Sequence, residues 1–180
     1  ALKTFTATTK SQTIKMAAGN TTLTATAVDS TAPSSVTIAA NASSNCDTFK
    51  GTAIDSGSGI VGYSFTQSTT APTTWTTITA TTSSISYTFK ATATGNWYFW
   101  VKDGSGNTAK SSALYVYSVS VTVTNGSKGN SQSFAIAGTS YSNTLTVTNG
   151  YSFPSSAGSA SGATYTRGSA SSRTITYSLS

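Results

Sequence analysis

The chain has 180 residues, of which 37% are hydrophobic, 11% are aromatic and only 8% are charged. This hydrophobic fraction is sufficient for a packed core, so the low charge does not indicate a disordered chain. Histidine is absent, which excludes the commonest general base, the Ser-His-Asp arrangement and most zinc sites. Glutamate is absent too, and the abundance of Thr, Val and aromatic residues predicts an all-β fold.

The formal net charge of +6 comes from ten Lys and Arg against four Asp. The basic residues are scattered rather than clustered, so we expect no nucleic-acid partner. No apolar run approaches the roughly 18 residues of a membrane helix, so we expect no membrane partner. Cys46 is single, which excludes an intrachain disulfide and predicts a buried, inert thiol.

Residues 1–29 alternate loosely between apolar and polar side chains, as at Ile14 and Met16. Two interpretations stay open: a β-hairpin, or an attachment arm that becomes ordered on a neighbouring subunit. The segment from Asp29 to Pro33 breaks the alternation and predicts a linker, because proline lacks a backbone donor.

Residues 30–118 contain short apolar and aromatic segments at regular spacing, separated by Gly, Asn, Asp and Pro. Six or seven strands with this spacing predict a β-sandwich. The predicted strands lie at 36–38, 49–54, 60–65, 75–78, 85–89, 97–101 and 114–117.

Three segments of this region carry a family resemblance: Asp29-Ser-Thr-Ala-Pro33, Gly59-Ile-Val-Gly-Tyr63-Ser-Phe65 and the run from Asn96 to Asn107, together with Trp75. They resemble the bacterial Ig-like domains of large surface proteins, which also occur in tailed-phage virions. The resemblance covers about half the chain. It implies an Ig-like β-sandwich that serves spacing, display or adhesion, with no catalytic residues.

The strand at 97–101 carries large apolar groups on both faces, since Trp97, Phe99 and Val101 alternate with Tyr98 and Trp100. One face is expected to be core. The other needs cover from a strand, a second unit or a partner. Tyr98, Trp100 and Trp75 are therefore the candidate contacts for a glycan or protein partner, with core packing as the alternative.

Residues 119–180 predict a second, smaller β-unit of about four strands. Alternating apolar residues suggest strands at 119–123, 134–136, 145–147 and 175–179, and residues 154–172 suggest a long loop. The pentapeptide Thr-Val-Thr-Asn-Gly occurs at 122–126 and at 146–150, and each copy is expected to end a strand in a type I′ turn.

The four aspartates offer little for catalysis. Asp55 and Asp103 adjoin Gly-rich segments, where turn capping is the expected role. Asp103 and Asn107 could instead supply oxygens to calcium, although calcium sites usually contain several carboxylates and this loop has one. We therefore expect no catalytic residue, no metal and no cofactor.

These observations predict a non-enzymatic structural or adhesive protein on a particle surface. The first hypothesis is a phage virion accessory protein, a capsid decoration or tail protein, because the lone Cys46 favours a chain that folds in the cytoplasm. The alternatives are a subunit of a bacterial cell-surface fibre or adhesin, which would be extracellular, and a glycan-binding module. The expected partners are copies of the chain itself or a host lattice of capsid, tail or fibre proteins, and cell-surface glycans as a further possibility.

Overall fold

The computed structural model describes residues 28–41 and 45–153 together with strands at 165–167 and 174–179. Within these residues the fold is all-β, with open antiparallel sheets and no helix. Accordingly, the described part has no helix that is long and apolar enough to cross a membrane. The all-β prediction is confirmed, whereas the expectations for residues 1–27 fall outside the described residues.

The first sheet has three antiparallel strands in the order β1, β2, β5. Its strands are β1 (Ser34–Ala40), β2 (Thr48–Ile54) and β5 (Ser84–Lys90). In β2, buried Phe49, Gly51 and Ala53 alternate with more exposed neighbours, as expected for a strand with one face towards a core.

The second sheet has the order β10, β8, β6, β3, β4, and β7 also pairs with β6. Its strands are β3 (Ile60–Thr66), β4 (Thr76–Thr82), β6 (Gly95–Asp103), β7 (Thr108–Lys110), β8 (Leu114–Ser118) and β10 (Phe134–Ile136). Strands β4 and β5 follow each other directly in sequence but belong to different sheets, so the chain crosses between the sheets at Ser83.

The two sheets pack face to face in a sandwich-like arrangement. Phe49 of β2 contacts Trp97 of β6, with 5.6 Å between ring centroids. Tyr63 of β3 stacks on Tyr87 of β5 at 4.1 Å. Because aromatic side chains bury large areas and prefer such offset geometries, these contacts between the sheets hold the layers together without a disulfide.

Strands β7 and β8 lie one after the other along the same edge of β6, separated by a break in the strand at residues 111–113. The buried Ser111 hydroxyl accepts a hydrogen bond from the Phe99 amide at 3.0 Å, and the Ser111 amide donates to the Phe99 carbonyl at 2.9 Å. At this break in the strand, the side chain of Ser111 thus satisfies a buried backbone donor of β6.

A third sheet has the order β12, β13, β11, β9. Its strands are β9 (Gly126–Lys128), β11 (Tyr141–Val147), β12 (Tyr165–Arg167) and β13 (Thr174–Leu179). Strand β10 lies between β9 and β11 in sequence, yet it pairs with β8 and places Ile136 in the core beside Phe49 and Val116.

The seven strands predicted between residues 30 and 118 all occur, although β4 begins at Thr76 and not at Trp75, and the short strand β7 was not predicted. Three details beyond residue 118 were wrong. Residues 119–123 are not a strand, the first Thr-Val-Thr-Asn-Gly copy leads into β9 instead of ending a strand, and β12 interrupts the predicted loop at 154–172. The Thr148 amide donates to the Asn125 carbonyl, so the two copies lie side by side. Alternation alone did not indicate this, because it carries no information about which segment finds a pairing partner.

Candidate functional site

Three aspartates meet at one end of the sandwich-like body. Asp29 precedes β1, Asp55 follows β2 and Asp103 ends β6. One carboxylate oxygen from each lies within 4.8 Å of the others. Asp55 and Asp103 are buried and Asp29 is half-buried, so the cluster brings three carboxyl groups together where little water reaches two of them.

Asp55 shapes the turn between β2 and β3. Its Oδ2 accepts hydrogen bonds from the amides of Gly59 at 2.6 Å and Gly57 at 3.2 Å. Gly59 has a φ of 75°, a left-handed conformation that glycine adopts without steric cost. The local pattern Asp-Ser-Gly-Ser-Gly therefore forms a turn in which the aspartate serves as an internal cap.

Asp103 holds the β6–β7 turn in the same way. Its Oδ1 accepts hydrogen bonds from the amides of Ser105 at 3.0 Å and Asn107 at 2.7 Å. Its Oδ2 accepts one from Nδ2 of Asn107 at 2.7 Å. Asn107 Nδ2 also donates to the Asp29 carbonyl at 3.1 Å, which joins this turn to the entry of β1.

Asp29 ties the entry of β1 to the β2–β3 turn. Its Oδ1 accepts a hydrogen bond from the Thr31 amide, and its Oδ2 accepts from the amide and the hydroxyl of Ser58. The backbone hydrogen bonds from Thr31 and Ser58 hold the pKa of Asp29 below its usual value. The predicted linker at 29–33 is thus anchored at its first residue.

Carboxylate oxygens in this arrangement are the ligand type that a hard cation such as calcium takes. All three aspartates also accept backbone hydrogen bonds that account for their burial. The sequence indicated Asp103 and Asn107 as possible calcium ligands, but it did not predict that Asp29 and Asp55 lie beside Asp103. The available signal was that each of the three precedes a Ser- or Gly-containing turn.

The fourth aspartate, Asp47, lies 1% exposed at the start of β2. Its Oδ2 is 3.4 Å from Nζ of Lys90, and within the described residues this oxygen has no partner with hydrogen-bond geometry. The side chain of Lys90 is 67% exposed. In this pair the lysine is therefore exposed to water, as in a surface ion pair, whereas the aspartate is buried.

Of the three predicted contact residues, Tyr98 and Trp100 are almost fully covered by the chain itself, at 9% and 7% exposure. The Lys110 ammonium lies 4.7 Å from the centroid of the Tyr98 ring, in a cation–π geometry. The indole N–H of Trp100 donates to the Ser68 carbonyl at 3.1 Å, which fixes the β3–β4 loop beside it.

The third predicted residue, Trp75, is half-buried next to β3. A Cβ placed on Gly62 would lie 3.4 Å from Cβ of Trp75, so the tryptophan covers a strand position that has no side chain. A contact role for Trp75, Tyr98 and Trp100 stays a prediction.

The exposed aromatic residues of this sheet face lie on the neighbouring strand β8. Tyr115 and Tyr117 are 42% and 55% exposed, and their ring centroids are 4.8 Å apart. Tyr115 pairs with Asn96 of β6, so it projects from the same face as Tyr98, two residues further along β6.

No protein-family model, no curated protein and no solved structure matches this chain.

Proposed function

We propose that this chain is a non-enzymatic structural or adhesive module with an Ig-like sandwich, displayed on the surface of a particle. The observation that carries the proposal is the use of its carboxylates. Asp29, Asp55 and Asp103 all accept backbone hydrogen bonds in turns that close one end of the body. The groups best suited to acid–base chemistry therefore serve to hold strand connections in place.

The distribution of strands supports the Ig-like part of the proposal. The first, second and fifth strands form one sheet, and the third, sixth and eighth lie side by side in the other. Ig-like sandwiches divide their strands between two sheets in this manner, with strands A, B and E opposite C, F and G. The aromatic strand β6 then occupies the position of strand F.

Display also accords with the strands at the sheet edges. Within the described residues, β4 is the last strand of its sheet, and its Thr-rich sequence is mostly exposed and uncharged. Charged residues and prolines are the usual protection against pairing with another chain's strand. An edge without them suits addition of a neighbour's strand in an assembled array.

A virion accessory protein, either a capsid decoration or a tail protein, is the first candidate, and a subunit of a bacterial fibre or adhesin is the second. Immunogold labelling distinguishes them, since gold on purified phage particles supports the first candidate. Gold on the bacterial envelope, with particles unlabelled, would replace the first candidate by the second. An unlabelled particle and an unlabelled envelope would overturn display altogether.

Removal of the N-terminal segment tests the attachment role given to residues 1–29. The truncation should end at residue 27, because Asp29 bonds to Ser58 and belongs to the folded body. The shortened protein is expected to fold yet fail to incorporate into the parent particle or fibre. Incorporation at normal occupancy would move the attachment role to residues 119–180.

The exposed Tyr115–Tyr117 pair favours glycan binding as a second candidate function. Tyrosine rings present a flat apolar surface with a hydroxyl at one end, which suits stacking against a sugar ring. This candidate is compatible with display, since a surface module can also adhere.

A further inference from the structure

The outer face of the second sheet combines aromatic rings with lysines. Counting along β6, the outward positions are Asn96, Tyr98, Trp100 and Lys102, because Trp97, Phe99 and Val101 point into the core. On the adjoining strands, Lys110 lies opposite Trp100 and Tyr115 lies opposite Asn96. We call this surface the tyrosine–lysine face; its accessible residues are Lys102, Lys110, Tyr115 and Tyr117, and the rings of Tyr98 and Trp100 lie covered beneath Lys110 and the β3–β4 loop.

The acidic side chains of this protein are few, and most of them are buried. The chain has four acidic residues in total. Asp47, Asp55 and Asp103 are no more than 4% exposed. Asp29 is half-buried, and its carboxylate accepts hydrogen bonds from the Thr31 and Ser58 amides. Lys50, Lys90, Lys110 and Lys128 are exposed. None of the four carboxylates is on the tyrosine–lysine face, so its lysines have no acidic neighbour there to neutralise them.

We infer that the tyrosine–lysine face binds an acidic polysaccharide, a glycan with a carboxylate on many of its sugar rings. The exposed rings of Tyr115 and Tyr117 would stack on the apolar faces of the sugars. Lys110 and Lys102 would pair with the carboxylates, giving a charge complementarity that a neutral glycan lacks. This inference rests on the glycan-binding candidate proposed above and does not depend on which particle or cell carries the chain.

Two other occupants fit the face less well. A second copy of the chain would bring the same lysines towards one another, and like charges across an interface are unfavourable. A nucleic acid carries a phosphate at every nucleotide, and proteins that bind it tightly neutralise several phosphates at once. Two lysines on this face fall short of that requirement, whereas a polyuronate spaces its charges by whole sugar rings.

Binding can be measured by isothermal titration calorimetry on the full chain, with polygalacturonate as the probe and neutral dextran as its comparison. The double variant Tyr115→Ala/Tyr117→Ala is expected to weaken polygalacturonate binding at least about tenfold, since each aromatic contact contributes on the order of a few-fold to tenfold. Lys110→Gln is expected to weaken it several-fold, and added salt is expected to weaken wild-type binding.

The matched controls lie away from the face. Tyr151 is also exposed, and Lys50 is an exposed lysine on the other sheet. Tyr151→Ala and Lys50→Gln should leave polygalacturonate binding unchanged, and thermal unfolding verifies that every variant is folded.

Four results would overturn the inference: no binding of polygalacturonate by the wild type, equal binding of dextran, equal losses in the controls, or tighter binding of single-stranded DNA through the same residues. Failure here would leave the display proposal intact, because immunogold labelling tests that proposal independently.

Discussion

Gly51 of β2 lies directly against the ring of Phe99 in the opposite sheet. A Cβ placed on Gly51 would be 2.6 Å from Cγ and Cδ2 of Phe99, well inside any contact that real side chains make. At this position the ring of Phe99 alone fills the space between the two sheets, because Gly51 has no side chain.

Gly51→Ala is expected to lower the free energy of unfolding by about 1–3 kcal/mol, the usual cost of an overpacked core. Urea denaturation measures this loss, with Gly62→Ala as the control because its nearest neighbour would lie at an ordinary 3.4 Å. Adding Phe99→Leu to Gly51→Ala should cost less than Phe99→Leu costs alone in the wild type. Strict additivity of the two changes would contradict the close approach.

Ser111→Ala removes the hydroxyl that accepts the hydrogen bond of the buried Phe99 amide. Leaving a buried donor unsatisfied costs about 1–3 kcal/mol. Equilibrium unfolding measures the loss, and exposed Ser112→Ala should be near neutral, because it keeps the carbonyl that Ser111 donates to. Similar stabilities for the two variants would show that the hydrogen bond from the Phe99 amide to the Ser111 hydroxyl does not contribute to stability.

Asp103→Ala removes the acceptor of three N–H donors in the β6–β7 turn. We expect a loss of about 2 kcal/mol, larger than that of Ser105→Ala, whose exposed side chain leaves these three bonds in place. Hydrogen exchange of the Asn107 amide gives a local measurement and should accelerate in Asp103→Ala. Unchanged exchange would mean that the turn holds its shape without the carboxylate.

Asp29 predicts a specific dependence of stability on pH. Its pKa is lowered in the folded chain from the usual 3.8 by the backbone hydrogen bonds from Thr31 and Ser58. Between the folded pKa and the unfolded one, the unfolded state binds more protons, so Asp29 contributes stability above about pH 4 that is lost as the pH falls through its folded pKa. Asp29→Asn should reduce the dependence of the unfolding free energy on pH below about pH 4, and an unchanged dependence would contradict the assignment.

Cys46 is expected to be a slow thiol and dispensable for covalent structure. It is half-buried, not fully buried as predicted. This partial burial raises its pKa from the usual 9.0, with a smaller contribution from Asp47, so little thiolate forms near neutral pH. Labelling by a thiol reagent at about pH 8 should be at least about tenfold slower than in urea, and Cys46→Ser should remain folded. Detection of a disulfide to another subunit by mass spectrometry would overturn this expectation.

The sequence alone determined the fold class and seven strands between residues 30 and 118, although not the short strand β7. Short segments rich in apolar, aromatic and β-branched residues, such as Phe49–Ile54 and Trp97–Val101, already indicate strands between Gly, Asn, Asp and Pro. The absence of histidine likewise limits the chemistry that this chain can perform in any fold. These are local or compositional properties, which need no long-range contact to be recognised.

Only the tertiary structure decided which residues meet. Asp29, Asp55 and Asp103 are far apart in sequence, and they come together because the start of β1 and the ends of β2 and β6 lie at the same edge of the body. Lys110 and the β3–β4 loop cover the face of β6 that bears Tyr98 and Trp100. The exposed aromatic rings on this side of the sheet are therefore those of Tyr115 and Tyr117 on β8. Strand register and loop placement depend on packing across the whole chain, and that information is not contained in the alternation of any single strand.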